Sequence, residues 1–175
     1  MKGKIPAFEI ALSAVACALA TAFLTVGVLY DVFLPTGYIL ACFALMLPLS
    51  KNFIAGDVLA YIATVVLTLL FGGLSVPWRI VPFVLFFGLH PLVNYLQLRF
   101  RWNKIILLVV KIFWFDVTLY IAWRFVFDMT ATFDWVNTYI IPCIAVGGTL
   151  FFIFYDGLVF RCQKAVNYLI YRIKK

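Results

Sequence analysis

The sequence predicts an all-α integral membrane protein: one bundle of six transmembrane helices with both termini in the cytoplasm. Three observations predict it. Of the 175 residues, 66% are hydrophobic and 12% charged, with a mean hydropathy of +1.10, whereas soluble domains average about 45–50% apolar and about 25% charged residues. The apolar residues gather into six runs, at 6–29, 37–49, 58–73, 80–98, 105–127 and 136–160. When those runs are threaded back and forth across a bilayer, the basic residues fall on one side.

Run by run, the first follows Lys2 and Lys4 and continues to Leu29. That exceeds the roughly 20 residues needed to span, so it is expected to stay as a membrane helix and not be cleaved as a signal peptide. The second and third runs are shorter. Extended through the polar flanks from Ser50 to Asp57 they make two spans, and a re-entrant pair is the alternative. The fourth, fifth and sixth runs are long enough to cross. With the N-terminus inside, the cytoplasmic segments hold eleven basic residues: Lys2, Lys4, Lys51, Arg99, Arg101, Lys104, Arg161, Lys164, Arg172, Lys174 and Lys175. The outer connections hold Arg79 beside Asp31, Asp128 and Asp134, while Lys111 and Arg124 lie within the fifth run. The net charge of +7 is then topological, as the positive-inside rule requires, and implies no nucleic-acid partner. Trp78, Trp102 and Trp135 fall at the expected membrane edges. The basic tail 161–175, "RCQKAVNYLIYRIKK", alternates basic and apolar residues at helical spacing and is expected to prolong the last helix along the cytoplasmic surface. No linker or repeat interrupts the chain, so 1–175 reads as a single domain, multi-pass in the cell membrane. The four cysteines are scattered, with no CxxC pair, and read as small packing residues.

The first helix is unusual in its small residues, "ALSAVACALATA". At 100° per residue, Ala11, Ala14, Ala18, Ala22 and Thr25 share one face, and Ser13, Ala16, Ala20 and Gly27 the opposite one. Leu12, Val15, Leu19, Phe23 and Val26 form a ridge between. The small-xxx-small pairs Ala14–Ala18 and Ala18–Ala22 let backbones approach where no hydrophobic force drives helices together. One small face can pack within the bundle, leaving the other for a partner; internal packing on both sides is the plainer alternative.

Six spans, both ends inside, an alanine-rich first helix with Ala14-x-x-x-Ala18, short second and third runs and a basic tail together resemble the substrate-binding S components of energy-coupling factor (ECF) transporters. The resemblance implies a vitamin or similar small-molecule substrate captured from outside. It also implies docking through Ala11, Ala14, Ala18 and Ala22 on a transmembrane coupling subunit that two cytoplasmic ATPases drive. The loop "YDVFLPTGY" is shorter than the one many family members fold over their substrate.

Polar side chains within a bilayer usually face the bundle interior or a cavity. Asp116, Tyr120, Trp123 and Arg124 follow i, i+4, i+7, i+8 spacing, so on an α-helix they share a face. An acid, two aromatics and a guanidinium on one stripe suit a polar ring bearing a carboxylate or phosphate. Trp78 and Arg79, with Asn137 and Tyr139, are further substrate-binding candidates at the outer edge, where interfacial anchoring explains the aromatics equally. Gly147, Gly148 and Thr149 permit a close backbone approach. His90, Asn94, Gln97 and Arg101 form a second polar stripe, with Pro91 beside it able to kink the helix. His90 is read as a bundle hydrogen-bonding group or a proton relay, and Lys111 as a partner of Asp156 or another carboxylate.

With one histidine there is neither HExxH nor a multi-histidine metal site, and neither GxSxG nor a Walker A sequence occurs. No enzyme, cofactor or metal is expected. Two other readings stay open: a membrane scaffold or assembly subunit of a cell-envelope complex with no small-molecule pocket, and a self-sufficient transporter using Asp116, Lys111 and His90 as an ion path.

Overall fold

A computed structural model describes residues 7–100, 102–126 and 134–173. Their regular structure is helical throughout. Helix α1 spans Ala7–Leu29, and a 3₁₀ turn at Asp31–Phe33 leads into α2, Leu34–Leu49. Helix α3 covers Ile54–Leu70. Two 3₁₀ turns, Gly73–Ser75 and Pro77–Ile80, and a π turn at Phe83–Phe87 then precede α4, His90–Phe100. Helix α5, Lys104–Ile121, opens with Asn103 as its N-cap, whose side chain accepts from the Ile105 amide at 3.0 Å, and closes in a π turn at Ala122–Val126. Helix α6, Asp134–Cys143, runs through a third π turn at Ile144–Gly148 into α7, Thr149–Ile173.

Five segments among the described residues are long and apolar enough to cross a bilayer: Ala7–Leu29, Asp31–Leu49, Pro77–Phe100, Lys104–Arg124 and Thr138–Arg172. The second run therefore gains its length from the 3₁₀ turn before it, not from the polar flank after it. The third, Ile54–Leu70, has 17 residues. At 1.5 Å per residue it covers about 25 Å, short of the roughly 30 Å hydrocarbon core. The tail continues α7 without a break as far as Ile173, as its helical spacing predicts.

Helices α1 and α2 form an antiparallel hairpin whose closest approach is glycine against glycine. A Cβ built on Gly37 lies 2.8 Å from the Phe23 carbonyl oxygen and 3.1 Å from Gly27 Cα, so a side chain at position 37 forces the backbones apart, and one at Gly27 meets backbone at 3.2 Å. The next turn reverses at Asn52, which takes a left-handed φ of 59°, a conformation asparagine accepts because its short amide bonds locally; here Asn52 Oδ1 accepts from Tyr95 Oη at 2.8 Å. The core has two parts that meet on α2. Ala16, Ala20, Leu24 and Val28 of α1 pack with Ala41 and Leu45. On the other side, Cys42 and Met46 join Phe86, Phe115, Phe152 and Tyr155.

The two small faces of α1 have different surroundings. Ala16, Ala20 and Gly27 are buried, whereas Ala11, Ala14, Ala18 and Ala22 are exposed. The ridge divides: Leu12 turns into the core, while Val15, Leu19 and Val26 stay about half exposed beside the free alanines.

At one end of the bundle Lys51 lies over the Phe8 ring at 5.9 Å, and Tyr95 reaches Asn52. We call this the basic end, since Arg99, Lys104 and Lys164 also gather there. At the opposite end Arg79 donates to the Val28 carbonyl at 2.9 Å and pairs with Asp31, while its own carbonyl accepts from Tyr38 Oη.

Candidate functional site

Two interior features stand out: an apolar cavity toward the Arg79 end and a charged network toward the basic end.

The cavity has a volume of about 300 Å³. Its wall is drawn from α2 (Pro35, Tyr38, Ile39), α5 (Phe115, Thr118, Leu119), the start of α7 (Phe151) and the π turns. All three π turns among the described residues reach it, through Phe87, Ala122, and Gly147 with Gly148. A π turn swaps i→i+4 for i→i+5 bonds, widening the helix locally, and such turns occur often at functional sites. Two have a sequence cause. Pro82 directly precedes the first and Pro142 lies two residues before the third, and each proline removes a helical donor. No proline accompanies the turn at Ala122–Val126. Polar groups are few at the cavity wall: Tyr38 Oη is engaged with the Arg79 carbonyl, and Thr118 Oγ1 donates to the Trp114 carbonyl at 2.9 Å. The chamber therefore suits a ligand that is mostly apolar.

The charged network centres on Asp156 of α7. Its Oδ1 accepts from Lys111 Nζ at 2.7 Å, from His90 Nε2 at 3.0 Å and from Asn94 Nδ2 at 3.3 Å. Lys111 also donates to Asn94 Oδ1 at 2.9 Å and Gln97 Oε1 at 3.1 Å. Its three protons are thus all placed, as a lysine with 1% exposure requires. His90 Nε2 lies 3.0 Å from both Asp156 Oδ1 and Asn94 Nδ2, and its Nδ1 is buried with no partner among the described residues. Aromatic rings surround that histidine, with Phe86, Tyr155 and Phe152 at centroid distances of 4.9, 5.2 and 5.7 Å. Phe86 also stacks edge-on against Phe115 at 5.1 Å. An aromatic layer thereby separates the network from the apolar cavity.

The stripe predicted on α5 lies elsewhere. Asp116 and Tyr120 line an open groove of about 280 Å³ with Phe113, Ile141 and Ile144. Tyr120 is 44% exposed and Arg124 is exposed. Asp116 accepts from Thr149 Oγ1 at 3.4 Å, its Oδ1 has no partner among the described residues, and that oxygen abuts Gly148. Asp116 therefore stands just outside the cavity wall, and it does not join Lys111 and His90. Trp123 and Arg124 fall within the π turn, where α-helical spacing no longer applies, and Trp123 is half-buried. Trp78 is exposed beside Arg79, which its bonds to Val28 and Asp31 occupy. Tyr139 lines a separate shallow cleft with Pro142 and Val146. The side chain of Asn137 lies outside the described residues, as does Arg101.

The structure thus brings Asp116 and Tyr120 to one groove and places none of the seven predicted substrate residues whose side chains are described on the apolar cavity. The sequence analysis singled out none of Tyr38, Phe87, Thr118 and Phe151; it marked Gly147 and Gly148, while Pro82 and Pro142 are signals it did not use. Among the described residues there is no group of His, Cys, Asp or Glu able to hold a metal ion. No family model, curated protein or solved structure matches the chain.

Proposed function

We propose that the chain is the substrate-binding subunit of an ECF-type uptake transporter, a multi-pass cell-membrane protein whose basic end faces the cytoplasm. In this reading a small, largely apolar molecule such as a vitamin enters the cavity at the Arg79 end. The exposed face Ala11, Ala14, Ala18 and Ala22 then docks on a transmembrane coupling subunit driven by two cytoplasmic ATPases. The observation that carries the reading is the convergence of three π turns on one cavity of about 300 Å³. That volume sits at the lower end of the roughly 300–1,000 Å³ of small-molecule sites. Such π turns occur often at functional sites. The alanine face supports the partner half of the reading, because small residues are how membrane helices meet closely.

The test is native mass spectrometry of the tagged chain, gently extracted from cells that carry its natural partners. The expected spectrum holds a coupling subunit, two ATPases and a retained mass of a few hundred daltons. Thr118 lines the cavity and is 4% exposed, so Thr118→Phe should empty the cavity while keeping the partners; Ala14→Leu should do the reverse. Envelope proteins in the spectrum with no small molecule would replace this reading with the assembly-subunit one.

A further inference from the structure

The basic end holds a second cavity, of about 370 Å³, between α4, α5 and α7. Its floor is the charged network, with Lys111 and Asp156 both on its wall, and its mouth carries Lys104 and Lys164, both exposed. A neighbouring cavity of about 450 Å³ shares Leu98, Gln163 and Asn167 with it and adds Arg99. The two form one vestibule whose charges are four cations and one carboxylate.

That carboxylate is already committed to Lys111 and His90. Lys104, Lys164 and Arg99 have no carboxylate partner among the described residues. The neutral groups lean the same way. Gln97 is 7% exposed and lines the vestibule. Its Oε1 accepts from Lys111, and its amide nitrogen has no acceptor among the described residues. Gln163 Nε2 donates to Asn167 Oδ1 at 3.0 Å, and the amide nitrogen of the exposed Asn167 likewise has no acceptor among the described residues. Unpaired cations and free amide donors around one space ask for an anion with several acceptor oxygens. Leu98, Leu108 and Phe160 supply an apolar wall beside them, and Ile105 and Val109 continue it outward along the exposed face of α5.

We infer that this vestibule binds a phosphate group, held by Lys104, Lys164 and Arg99 and oriented by the amides of Gln97 and Asn167. Lys111 does not touch the anion; its protons are spent on Asp156, Asn94 and Gln97, and it positions Gln97. The phosphate can arrive on a lipid headgroup, with acyl chains along Leu108 and Val109, or on a soluble molecule. The inference is independent of the transport reading, since it uses neither the apolar cavity nor the alanine face.

The experiment is native mass spectrometry of the full chain against an equimolar mixture of phosphatidylglycerol and phosphatidylcholine, with a second arm adding glycerol 3-phosphate. The expected result is one phosphatidylglycerol retained in preference to phosphatidylcholine. At about 1 kcal/mol per basic contact, K104Q/K164Q should lower that preference roughly 30-fold. Both lysines are exposed, so an unchanged melting temperature will show that the variant is folded. R161Q removes an exposed charge that does not line the vestibule, and should leave the preference intact. Displacement of the lipid by glycerol 3-phosphate assigns a soluble source; resistance to it assigns the lipid. Equal retention of the two lipids with no binding of glycerol 3-phosphate overturns the inference, as does an equal effect of R161Q and K104Q/K164Q.

Discussion

Lys111 Nζ and Asp156 Oδ1 meet at 2.7 Å, joining α5 to α7 where the lysine is 1% and the aspartate 6% exposed. An ion pair so placed carries a heavy desolvation cost, which is offset where Asn94 and Gln97 take up the other lysine protons and His90 and Asn94 add bonds to the carboxylate Oδ1. Its worth is therefore asymmetric: removing one partner strands a buried charge among oriented dipoles. Asp156→Asn should destabilise the bundle by about 3–5 kcal/mol, read as a fall in unfolding free energy in detergent micelles. The double variant K111M/D156L should cost about 1–3 kcal/mol less than the sum of K111M and D156L. Additive losses would mean that the two side chains do not act as a pair.

The glycine contact between α1 and α2 gives a second prediction. Alanine at position 37 puts its Cβ 2.8 Å from a backbone carbonyl oxygen, and backbone cannot step aside as a side-chain end can. Gly37→Ala should cost about 1–3 kcal/mol through overpacking. Gly147→Ala, with nothing within 4 Å of its Cβ, should leave thermal stability unchanged or slightly raised. Comparable melting temperatures for the two variants would show that the hairpin relaxes more than close helix packing allows.

Much of this architecture is legible in the sequence because hydrophobic length and charge act over whole segments. The apolar runs and the gathering of Lys51, Arg99, Lys104 and Lys164 at one end need no knowledge of neighbours. The polar stripe His90–Asn94–Gln97 is likewise readable, since α4 is regular there and its i, i+4, i+7 residues do share a face. What it faces was open: Lys111 had several carboxylates to choose from, and only the packing of α5 on α7 selects Asp156. The apolar cavity was hidden for a different reason. Three π turns line it, and π turns break the 100° rule on which a helical wheel depends. The same break takes Trp123 and Arg124 off the stripe that Asp116 and Tyr120 occupy. Pro82, Pro142 and Gly147–Gly148 mark where widening is tolerated but do not say that the three sites converge.

The two small faces of α1 make opposite predictions. Ala16 is fully buried against α2 and α3, so Ala16→Leu inserts bulk into a filled core and should cost about 1–3 kcal/mol. Ala14 and Ala18 are exposed, so Ala14→Leu and Ala18→Leu should unfold at the same temperature as the parent chain. They should nonetheless lose any partner held by that face, measured by co-purification from native membranes. Partner retention in Ala14→Leu and Ala18→Leu would show that the exposed alanines face only lipid.

Arg79 separates a structural from a ligand-binding role at the opposite end. Its guanidinium donates to the Val28 carbonyl at 2.9 Å and pairs with Asp31, while the Tyr38 hydroxyl donates to its carbonyl. One residue thus ties the end of α1 to α2 and to the turn before α4. Arg79→Ala leaves the Val28 carbonyl without its donor and should cost about 1–3 kcal/mol. Asp31, with a side chain 70% exposed, contributes through a solvated pair, and Asp31→Ala should cost under about 1 kcal/mol. Tyr38 lines the apolar cavity, so slackening this tie also enlarges the chamber. If Arg79 is structural, the melting temperature and the retention of a bound solute fall together in Arg79→Ala. A loss of retention at unchanged melting temperature would instead make the guanidinium a direct ligand contact, as its sequence position first suggested.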